Sequence, residues 1–454
     1  MTAKFRISSG TSKSAQTMPR REFIKSAAAV GAGLTILPSG TRLGAGAPSN
    51  TLNIALIGAG GRARAHFRAA AGENVVALCD VNEQTLAAAA EKFPKAKTYV
   101  DWRKCLDQKG IDAVICSTTD FTHAFIANWA LNRNMHVYCE KPLGNSVEEA
   151  RVVRANYLKR KDKVATQVGT QRHENPNFNR VREIVLDGGV GTLKHVHAWG
   201  DRQIRRKGYL PGEGTIPEYL HYDLWLGPSP YHPYNKGYFG GCLAWNMYWD
   251  FGGGQIGDMG SHTMDLAWNA MDAELPTSAE AHGEPFNPDV TPVDLTSTFE
   301  FPANAWRPPI GFTWYQGAHK PKRLEGDINV EKIDHGALWV GDKGFLVAGF
   351  GNHELIPRDK DAGLAYYKPR PVEKQIPPMG NFQEQWINAC KGDLKTSCDF
   401  KYSGDAIETM LLGLVAYRVG KKIQYDGKTG RVTNHDEANK LLSREYREGW
   451  KLDG

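Results

Sequence analysis

Apolar runs alternate with segments of helical pattern in the first half of the chain. The apolar runs between residues 51 and 172 are NIALIG, VVALCD, AVICST, HVYCE and VATQVG. The predicted helices lie between them, from Arg62, from Glu83 to Phe93, from Trp102 to Gln108, from Phe125 to Asn132 and from Val147 to Lys161. This alternation is typical of a parallel sheet built through right-handed crossovers. It predicts a doubly wound α/β domain over residues 51–172.

The pattern changes after residue 172. Segments of β pattern follow one another without long helices between them, at residues 195–200, 293–301, 310–315, 337–341 and 344–348. Three further helices are predicted, from Gly257 to Met271, from Asn381 to Lys391 and from Gly404 to Arg418. The pattern favours an open, largely antiparallel sheet in a second α/β domain over residues 173–425, followed by a C-terminal tail at 426–454.

Composition indicates an ordinary globular protein. The chain has 454 residues, of which 41% are hydrophobic and 23% charged, so it is long enough for two domains with full cores. The net charge of +6 is small for this length, and part of it lies in the first 25 residues. We therefore expect no nucleic-acid partner.

The first 47 residues have the pattern of a leader. Arg20 and Arg21, with Phe23 and Lys25 after them, precede a mild apolar run at residues 26–38. This order predicts a twin-arginine export signal and a periplasmic or otherwise exported protein, although an arginine pair can also precede an apolar helix by chance. The run is too short for a stable membrane span. Ala45-Gly46-Ala47 offers a cleavage site, but Pro48 is unfavourable directly after it.

Neither the cysteines nor the paired histidines predict a metal site. The seven cysteines are an odd number without paired spacing, which favours small buried hydrophobes. His195 and His197 share one face of a predicted strand, but no third ligand accompanies them. We expect no metal.

A glycine-rich turn follows the first apolar run. Gly58 permits the tight turn, Gly60 allows a pyrophosphate to approach the backbone, and Ala63 stands where a third glycine is common. Asp80 ends the next apolar run, 22 residues after Gly58. Its carboxylate can accept hydrogen bonds from ribose hydroxyls and would repel a 2′-phosphate. The first domain is thus expected to be a Rossmann domain that binds NAD rather than NADP, with Gly61 and Arg62 also at the cofactor.

Two polar motifs carry the expected chemistry. Glu140 and Lys141 follow a predicted strand at its carboxyl end, where open parallel sheets bind ligands. Asp258 and His262 are four residues apart, one turn along a predicted helix. His262 could take a hydroxyl proton, with Asp258 fixing its tautomer or contacting a neighbouring hydroxyl. Asp258 could also cap the helix.

These motifs together resemble the glucose-fructose oxidoreductase / inositol dehydrogenase family (Gfo/Idh/MocA). The GAGGRA turn, the strand-end Glu-Lys-Pro and the later Asp-x-x-x-His fall in family order, and the resemblance covers about residues 51–425. It implies that Lys141 contacts the substrate hydroxyl and the nicotinamide ribose and assists proton transfer. It also implies that Asp258 and His262 line the substrate site. The loop with Thr118 and His123 corresponds to one that the family lays along the cofactor.

Further candidate substrate contacts have more than one interpretation. Gln171 lies at the expected hinge between the domains, where it could reach either ligand or form an ordinary polar turn. Tyr222 and Trp245 belong to an aromatic-rich stretch within residues 209–251, which could build a carbohydrate pocket. Burial against the sheet or in a subunit contact is equally open to these aromatic residues.

The resemblance implies an enzyme that transfers hydride between a sugar or glycoside hydroxyl carbon and NAD. One alternative keeps that step but cleaves a glycoside by transient oxidation, elimination and return of the hydride, as some relatives do. Another alternative is a carbohydrate-binding protein without activity, which would not require Lys141, Asp258 and His262 together. The face of the second sheet suits a homo-oligomer, a dimer or tetramer.

Overall fold

The computed structural model describes residues 50–202 and 204–452. The predicted leader at residues 1–47, with Arg20, Arg21 and the cleavage site, lies outside them. The sequence-based fold class is confirmed, because a parallel sheet comes first and a mostly antiparallel sheet follows it. No helix in the described ranges is both long and apolar enough to cross a membrane.

The first sheet has six parallel strands in the spatial order β3-β2-β1-β4-β5-β6. These strands are β1 (Asn53–Ile57), β2 (Asn74–Cys79), β3 (Lys97–Tyr99), β4 (Ala113–Cys116), β5 (His136–Cys139) and β6 (Thr166–Val168). The order reverses beside β1, and a crevice forms at that point outside the carboxyl ends of β1 and β4. The polar turns that follow the strands meet at this edge, so the sheet positions the candidate site.

Helices cover both faces of this sheet. They are α1 (Phe67–Ala70), α2 (Glu83–Ala90), α3 (Trp102–Leu106), α4 (Asp120–Asn132) and α5 (Val147–Leu158). The helix predicted from Arg62 was wrong in form, since a 3₁₀ segment, Gly61–Ala65, precedes the short α1. Each amide there donates to the carbonyl oxygen three residues earlier, Ala63 to Gly60 and His66 to Ala63. Apolar spacing does not distinguish such a tight segment from an α-helix.

The second sheet has nine strands in the order β15-β14-β13-β7-β10-β9-β8-β16-β17. Its strands are β7 (Leu193–Gly200), β8 (Ser278–Gly283), β9 (Leu295–Phe301), β10 (Ile310–Gln316), β13 (Gly336–Gly341), β14 (Gly344–Ala348), β15 (His353–Pro357), β16 (Ile423–Asp426) and β17 (Arg431–Val432). Only β7 and β10 pair in parallel among these strands. A separate pair is formed by β11 (Arg323–Leu324) and β12 (Ile328–Asn329). The strands β8, β15, β16 and β17 were not predicted from the sequence.

The remaining helices are α6 (Pro176–Leu186), α7 (Tyr222–Leu226), α8 (Cys242–Trp245), α9 (Gly254–Asp258), α10 (Gly260–Met271), α11 (Phe382–Cys390), α12 (Phe400–Val419) and α13 (Asp436–Lys440). The single helix predicted from Gly257 begins earlier, at Gly254, and is divided at Met259, whose backbone stays helical. The helix α12 begins before the predicted Gly404, because Asp399 caps it by accepting from the amides of Lys401 and Tyr402. It packs along α5, and α10 packs along α6.

Candidate active site

The glycine turn and Asp80 meet at the carboxyl edge of the first sheet. Gly58 has a φ of +79°, and a Cβ there would lie 2.6 Å from the carbonyl oxygen of Ser117, so only glycine fits. The amide of Ala59 donates to Asp80 Oδ2 at 2.8 Å. Burial raises the pKa of Asp80, while hydrogen bonds from the amides of Asn82 and Ala59 oppose that rise. The predicted turn and its acid therefore form one unit.

This unit fits a dinucleotide. Gly60 is the N-terminal cap of the 3₁₀ segment and Gly61 its first residue. The first amides of a helix have no partner within it and point outward, as a pyrophosphate requires. Space above Gly61 is open, because no described heavy atom lies within 4 Å of a Cβ built there. The carboxylate of Asp80 would face the ribose.

Glu140 connects the glycine turn to the end of β5. Its Oε1 accepts from Arg62 Nε at 2.8 Å and lies 2.9 Å from His66 Nε2. Burial opposes ionisation, but His66 and Arg62 outweigh it and lower the pKa of Glu140 to about 2. Glu140 therefore acts as a buried anion that holds Arg62 in place, a structural role beside the predicted cofactor contact.

Lys141 and Asp258 form an ion pair that joins the end of β5 to the end of α9. Lys141 follows β5, Asp258 ends α9, and the Lys141 ammonium donates to Asp258 Oδ1. Burial would lower the pKa of Lys141, but Asp258 and Asp120 raise it. Burial would likewise raise the pKa of Asp258, and Lys141 lowers it. Lys141 therefore carries a positive charge held at a defined point.

His262 lies beside this pair without a hydrogen bond to it. Its ring is buried, and within the described residues no protein group bonds to either ring nitrogen. Burial first, and then the charge of Lys141, lowers the pKa of His262 to about 3. Asp258 uses Oδ1 for Lys141 and leaves Oδ2 without a partner in the described chain. The tautomer-fixing contact from Asp258 to His262, one of two possibilities in the sequence, is thus not formed.

Thr118 lies in the predicted cofactor loop, and His123 lies in the first turn of α4. Thr118 Oγ1 accepts from Thr122 Oγ1 at 2.7 Å. His123 is buried, and its Nδ1 lies 2.7 Å from the carbonyl oxygen of Pro142. This contact holds the segment that follows Lys141, so His123 helps to position that segment. Its other ring nitrogen lies 3.3 Å from the Thr118 carbonyl oxygen.

The structure separates the predicted substrate residues. Gln171 begins the 3₁₀ segment Gln171–Glu174, and its buried Oε1 has no partner among the described residues. Tyr222 and Trp245 instead belong to an aromatic cluster, where Tyr222 stacks on Trp225 and Trp245 packs edge-on to Phe121. Their exposed fractions are 3% and 8%, so the packing alternative describes them better than a sugar-binding surface.

Sequence reasoning passed over two charged residues of the site. Asp120 is the first residue of α4 and is 6% exposed. Burial raises its pKa well above the usual range, and Lys141 opposes this rise. Arg202 follows β7, and its Nη1 lies 3.7 Å from Met259 Sδ. The position of Asp120 at a strand-end helix was the available signal, whereas Arg202 had none.

One buried group has metal-ligand chemistry. The donor atoms of Cys116, His123 and Cys139 lie within 4.8 Å of one another. Both ring nitrogens of His123, however, face the backbone carbonyls of Pro142 and Thr118. This arrangement favours packing over coordination. All seven cysteines are free thiols, and five of them are buried.

Comparisons with known proteins find similarity in both domains. Residues 52–170 match the family model described as "Oxidoreductase family, NAD-binding Rossmann fold", and residues 199–297 match the one described as "Oxidoreductase family, C-terminal alpha/beta domain". Inositol 2-dehydrogenase of Salmonella paratyphi B is 30% identical over 37% of this chain and 48% of its own length. Levoglucosan dehydrogenase of Pseudarthrobacter phenanthrenivorans is 26% identical over 50% of this chain and 54% of its own length.

The chain thus spans about half the length of the curated relatives it matches. A solved structure of the WlbA dehydrogenase from Bordetella pertussis, in complex with NADH and UDP-GlcNAcA, superposes with a TM-score of 0.59. The superposition covers 83% of this chain and 98% of that one at 17% sequence identity. At that identity the likeness shows the fold alone.

Proposed function

We propose that this chain is an NAD-dependent sugar oxidoreductase of the Gfo/Idh/MocA family, because residues 52–170 and 199–297 match the models of that family's two domains. The reaction is hydride transfer between a hydroxyl-bearing carbon of a sugar or glycoside and the cofactor. The names of the relatives, an inositol and a levoglucosan dehydrogenase, support a polyol or sugar as substrate. The observation that carries the proposal is that Lys141, Asp258 and His262 meet beside the glycine turn.

In this proposal, the cofactor-binding residues and the catalytic residues have separate roles. The glycine turn and Asp80 would hold the dinucleotide along the edge of the first sheet. NAD⁺, when bound, accepts the hydride. The Lys141 ammonium, which Asp258 holds, donates a hydrogen bond to the substrate oxygen and stabilises the negative charge that develops on it. Asp258 therefore acts on the substrate through Lys141.

His262 is the proton acceptor in this proposal. Its ring is neutral above about pH 3, and no described protein group bonds to its nitrogens, so one lone pair is free for the substrate hydroxyl. The low pKa also means that an imidazolium formed here loses its proton readily. The proton therefore passes from His262 to water, so that each turnover transfers one hydride to NAD⁺ and releases one proton.

The test is a panel of polyols, sugars and aryl glycosides with NAD⁺ and no other acceptor. Absorbance at the nicotinamide band reports reduced cofactor, and released aglycone is measured in the same samples. We expect stoichiometric reduction of NAD⁺ with at least one sugar. Aglycone release with catalytic NAD⁺ and no net reduction would contradict the dehydrogenase and favour the closed redox cycle.

Two properties of the whole protein are also proposed. We infer export through the twin-arginine route from Arg20 and Arg21. We also infer a homo-oligomer, because the second sheet presents a face with the half-buried side chains of His195, His197 and Tyr315. Light scattering on the purified protein tests the oligomer, and a monomeric mass would contradict it.

A further inference from the structure

Arg202 leaves the second sheet directly beside the candidate active site. The strand β7 ends at Gly200, where a Cβ would lie 2.9 Å from Trp314, 3.0 Å from His335 Nδ1 and 3.1 Å from Gln255 Nε2. The backbone is thus pressed against α9 and His335. Two residues later, Arg202 Nη1 lies 3.7 Å from the sulfur of Met259, the residue after Asp258. The guanidinium of this exposed residue therefore lies next to the helix end that carries Asp258.

A second guanidinium reaches the site from the hinge. Arg172 lies over the ring of Phe350, with 4.7 Å from its Cζ to the ring centroid. Phe350 stacks on His335 with ring centroids 6.1 Å apart. Arg172, Phe350 and His335 are thus in contact in this order, and His335 Nδ1 lies 3.0 Å from a Cβ built at Gly200, two residues before Arg202. Arg172, Phe350, His335 and Arg202 are here named the arginine wall. The Nδ1 atom of His335 is buried and has no hydrogen-bond partner among the described residues.

The arginine wall carries positive charge that has no carboxylate partner in the described part of the chain. Neither Arg172 nor Arg202 forms an ion pair with a carboxylate of residues 50–202 or 204–452. Arg205, on the same loop, pairs with both Glu284 and Asp294. The charges do reach the site, since Arg202 contributes to the lowered pKa of Asp258 and Arg172 to that of His262.

A carboxylate is the ligand that this wall suits. A guanidinium has donors only, and its planar fork binds carboxylates through two parallel hydrogen bonds. The carboxylate of Asp258 is already committed to Lys141. The charge of Asp258 would also repel a doubly charged phosphate more strongly than a singly charged carboxylate.

We propose that the arginine wall binds the carboxylate of a sugar acid, so that the substrate is a uronic acid or its glycoside rather than a neutral sugar. This inference rests on the proposed function, because it assumes that the same cleft holds the sugar. Arg202 is the principal contact, and Arg172 is the second. The hydroxyl that is oxidised would then face Lys141 and His262, away from the wall.

The kinetic test compares hexuronates with their neutral counterparts. D-glucuronate, D-galacturonate and D-mannuronate are each paired with the parent hexose, and NAD⁺ reduction is followed. We expect a kcat/KM at least about 10-fold higher for one uronate than for its hexose. Arg202→Gln should lower kcat/KM for that uronate by about 10- to 100-fold, the usual effect of losing a charged hydrogen bond, and change the hexose by less than about threefold. Arg205→Gln is the matched control and should leave both unchanged.

A binding measurement separates this inference from the proposed function. The three uronates and their hexoses are titrated by calorimetry into the protein loaded with NADH, without turnover. Tighter binding of a uronate that is lost in Arg202→Gln and retained in Arg205→Gln would support carboxylate binding by the arginine wall, even if no sugar reduced NAD⁺. Equal binding of every pair, or equal loss of both members in Arg202→Gln, would overturn the inference while leaving the dehydrogenase proposal intact.

Discussion

Lys141 and His262 are the residues on which the proposed chemistry depends. Lys141→Ala removes the charge next to the developing alkoxide, and His262→Ala removes the proton acceptor. We expect each to lower kcat by about 100-fold or more, the typical effect of such groups, with NAD affinity changed only a few-fold. Stopped-flow turnover and NADH titration give the two readouts.

The control for both variants is Lys109→Ala, which removes the charge of an exposed lysine in the turn before β4. Thermal unfolding is followed in parallel, because Asp258 loses its partner in Lys141→Ala. Full turnover in both site variants would show that the site is assigned wrongly even though the fold is right.

Glu140 predicts a pH-dependent stability. Its folded pKa of about 2 lies below its ordinary value of 4.5, so the stabilisation is present above pH 4.5 and is lost as the pH falls towards 2. Glu140→Gln should lower the free energy of unfolding at pH 7 by on the order of 3 kcal/mol. Urea unfolding from pH 7 down to pH 3 should show this difference shrinking. A constant difference, or one no larger than in the exposed control Glu91→Gln, would contradict this role.

At the scale of elements, the end of β2 and the glycine turn act together in cofactor choice. Asp80 lies against the amide of Ala59, where a 2′-phosphate would meet a like charge. We expect NAD to bind at least about 10-fold more tightly than NADP, and Asp80→Ala to narrow that ratio. Fluorescence titration measures both. Asp112→Ala is the matched control, because Asp112 also accepts a hydrogen bond from a backbone amide, that of Asn53 at the start of β1. Equal affinity of the wild type for both dinucleotides would refute the assignment.

The segment predicted as a C-terminal tail, 426–454, packs on the first domain in its described part. Arg444 donates to Glu149 Oε1 on α5 at 2.6 Å and to the carbonyl oxygen of Phe121 on α4 at 2.8 Å. Glu149 is fully buried. Arg444→Met leaves that carboxylate unpaired, and the expected loss of unfolding free energy is about 3–5 kcal/mol.

Chemical denaturation checks this expectation for Arg444. Lys440→Met breaks only an exposed pair with Glu437 and should cost less than about 1 kcal/mol. The double variant Arg444→Met/Glu149→Met should recover part of the loss, because no buried charge remains. Similar losses in the Arg444 and Lys440 variants would rule out an anchoring role.

At the scale of the whole molecule, the leader pattern with Arg20 and Arg21 predicts export of a folded protein. Replacing Arg20 and Arg21 by lysine should retain the protein in the cytoplasm, because that route reads the arginine pair. Fractionation of cells that express each form gives the measurement. Replacing Lys4 and Lys13 by arginine keeps the leader charge and leaves the motif unchanged, so it serves as the control. Unchanged export after the Arg20 and Arg21 change would mean that another feature directs the protein.

The sequence by itself determined the elements whose signals are local. Apolar runs between helical segments indicate the parallel sheet, and five of its six strands are found where the runs lie. The turn at Gly58 and the polar residues at strand ends are equally local, which is why Asp80, Lys141, Asp258 and His262 could be selected as candidates. The strand β3 was missed because three residues are too short for a period to emerge.

Only the tertiary structure decided which side chains meet. Asp258 pairs with Lys141, 117 residues away, rather than with His262 one turn along. Tyr222 and Trp245 are buried among other aromatic rings, and Asp120 and Arg202 enter the site from elements far apart in the chain. Spacing along a chain reports on one helix or one strand. Contacts between the ends of different elements depend on how the two sheets and their helices pack, and no local period encodes that.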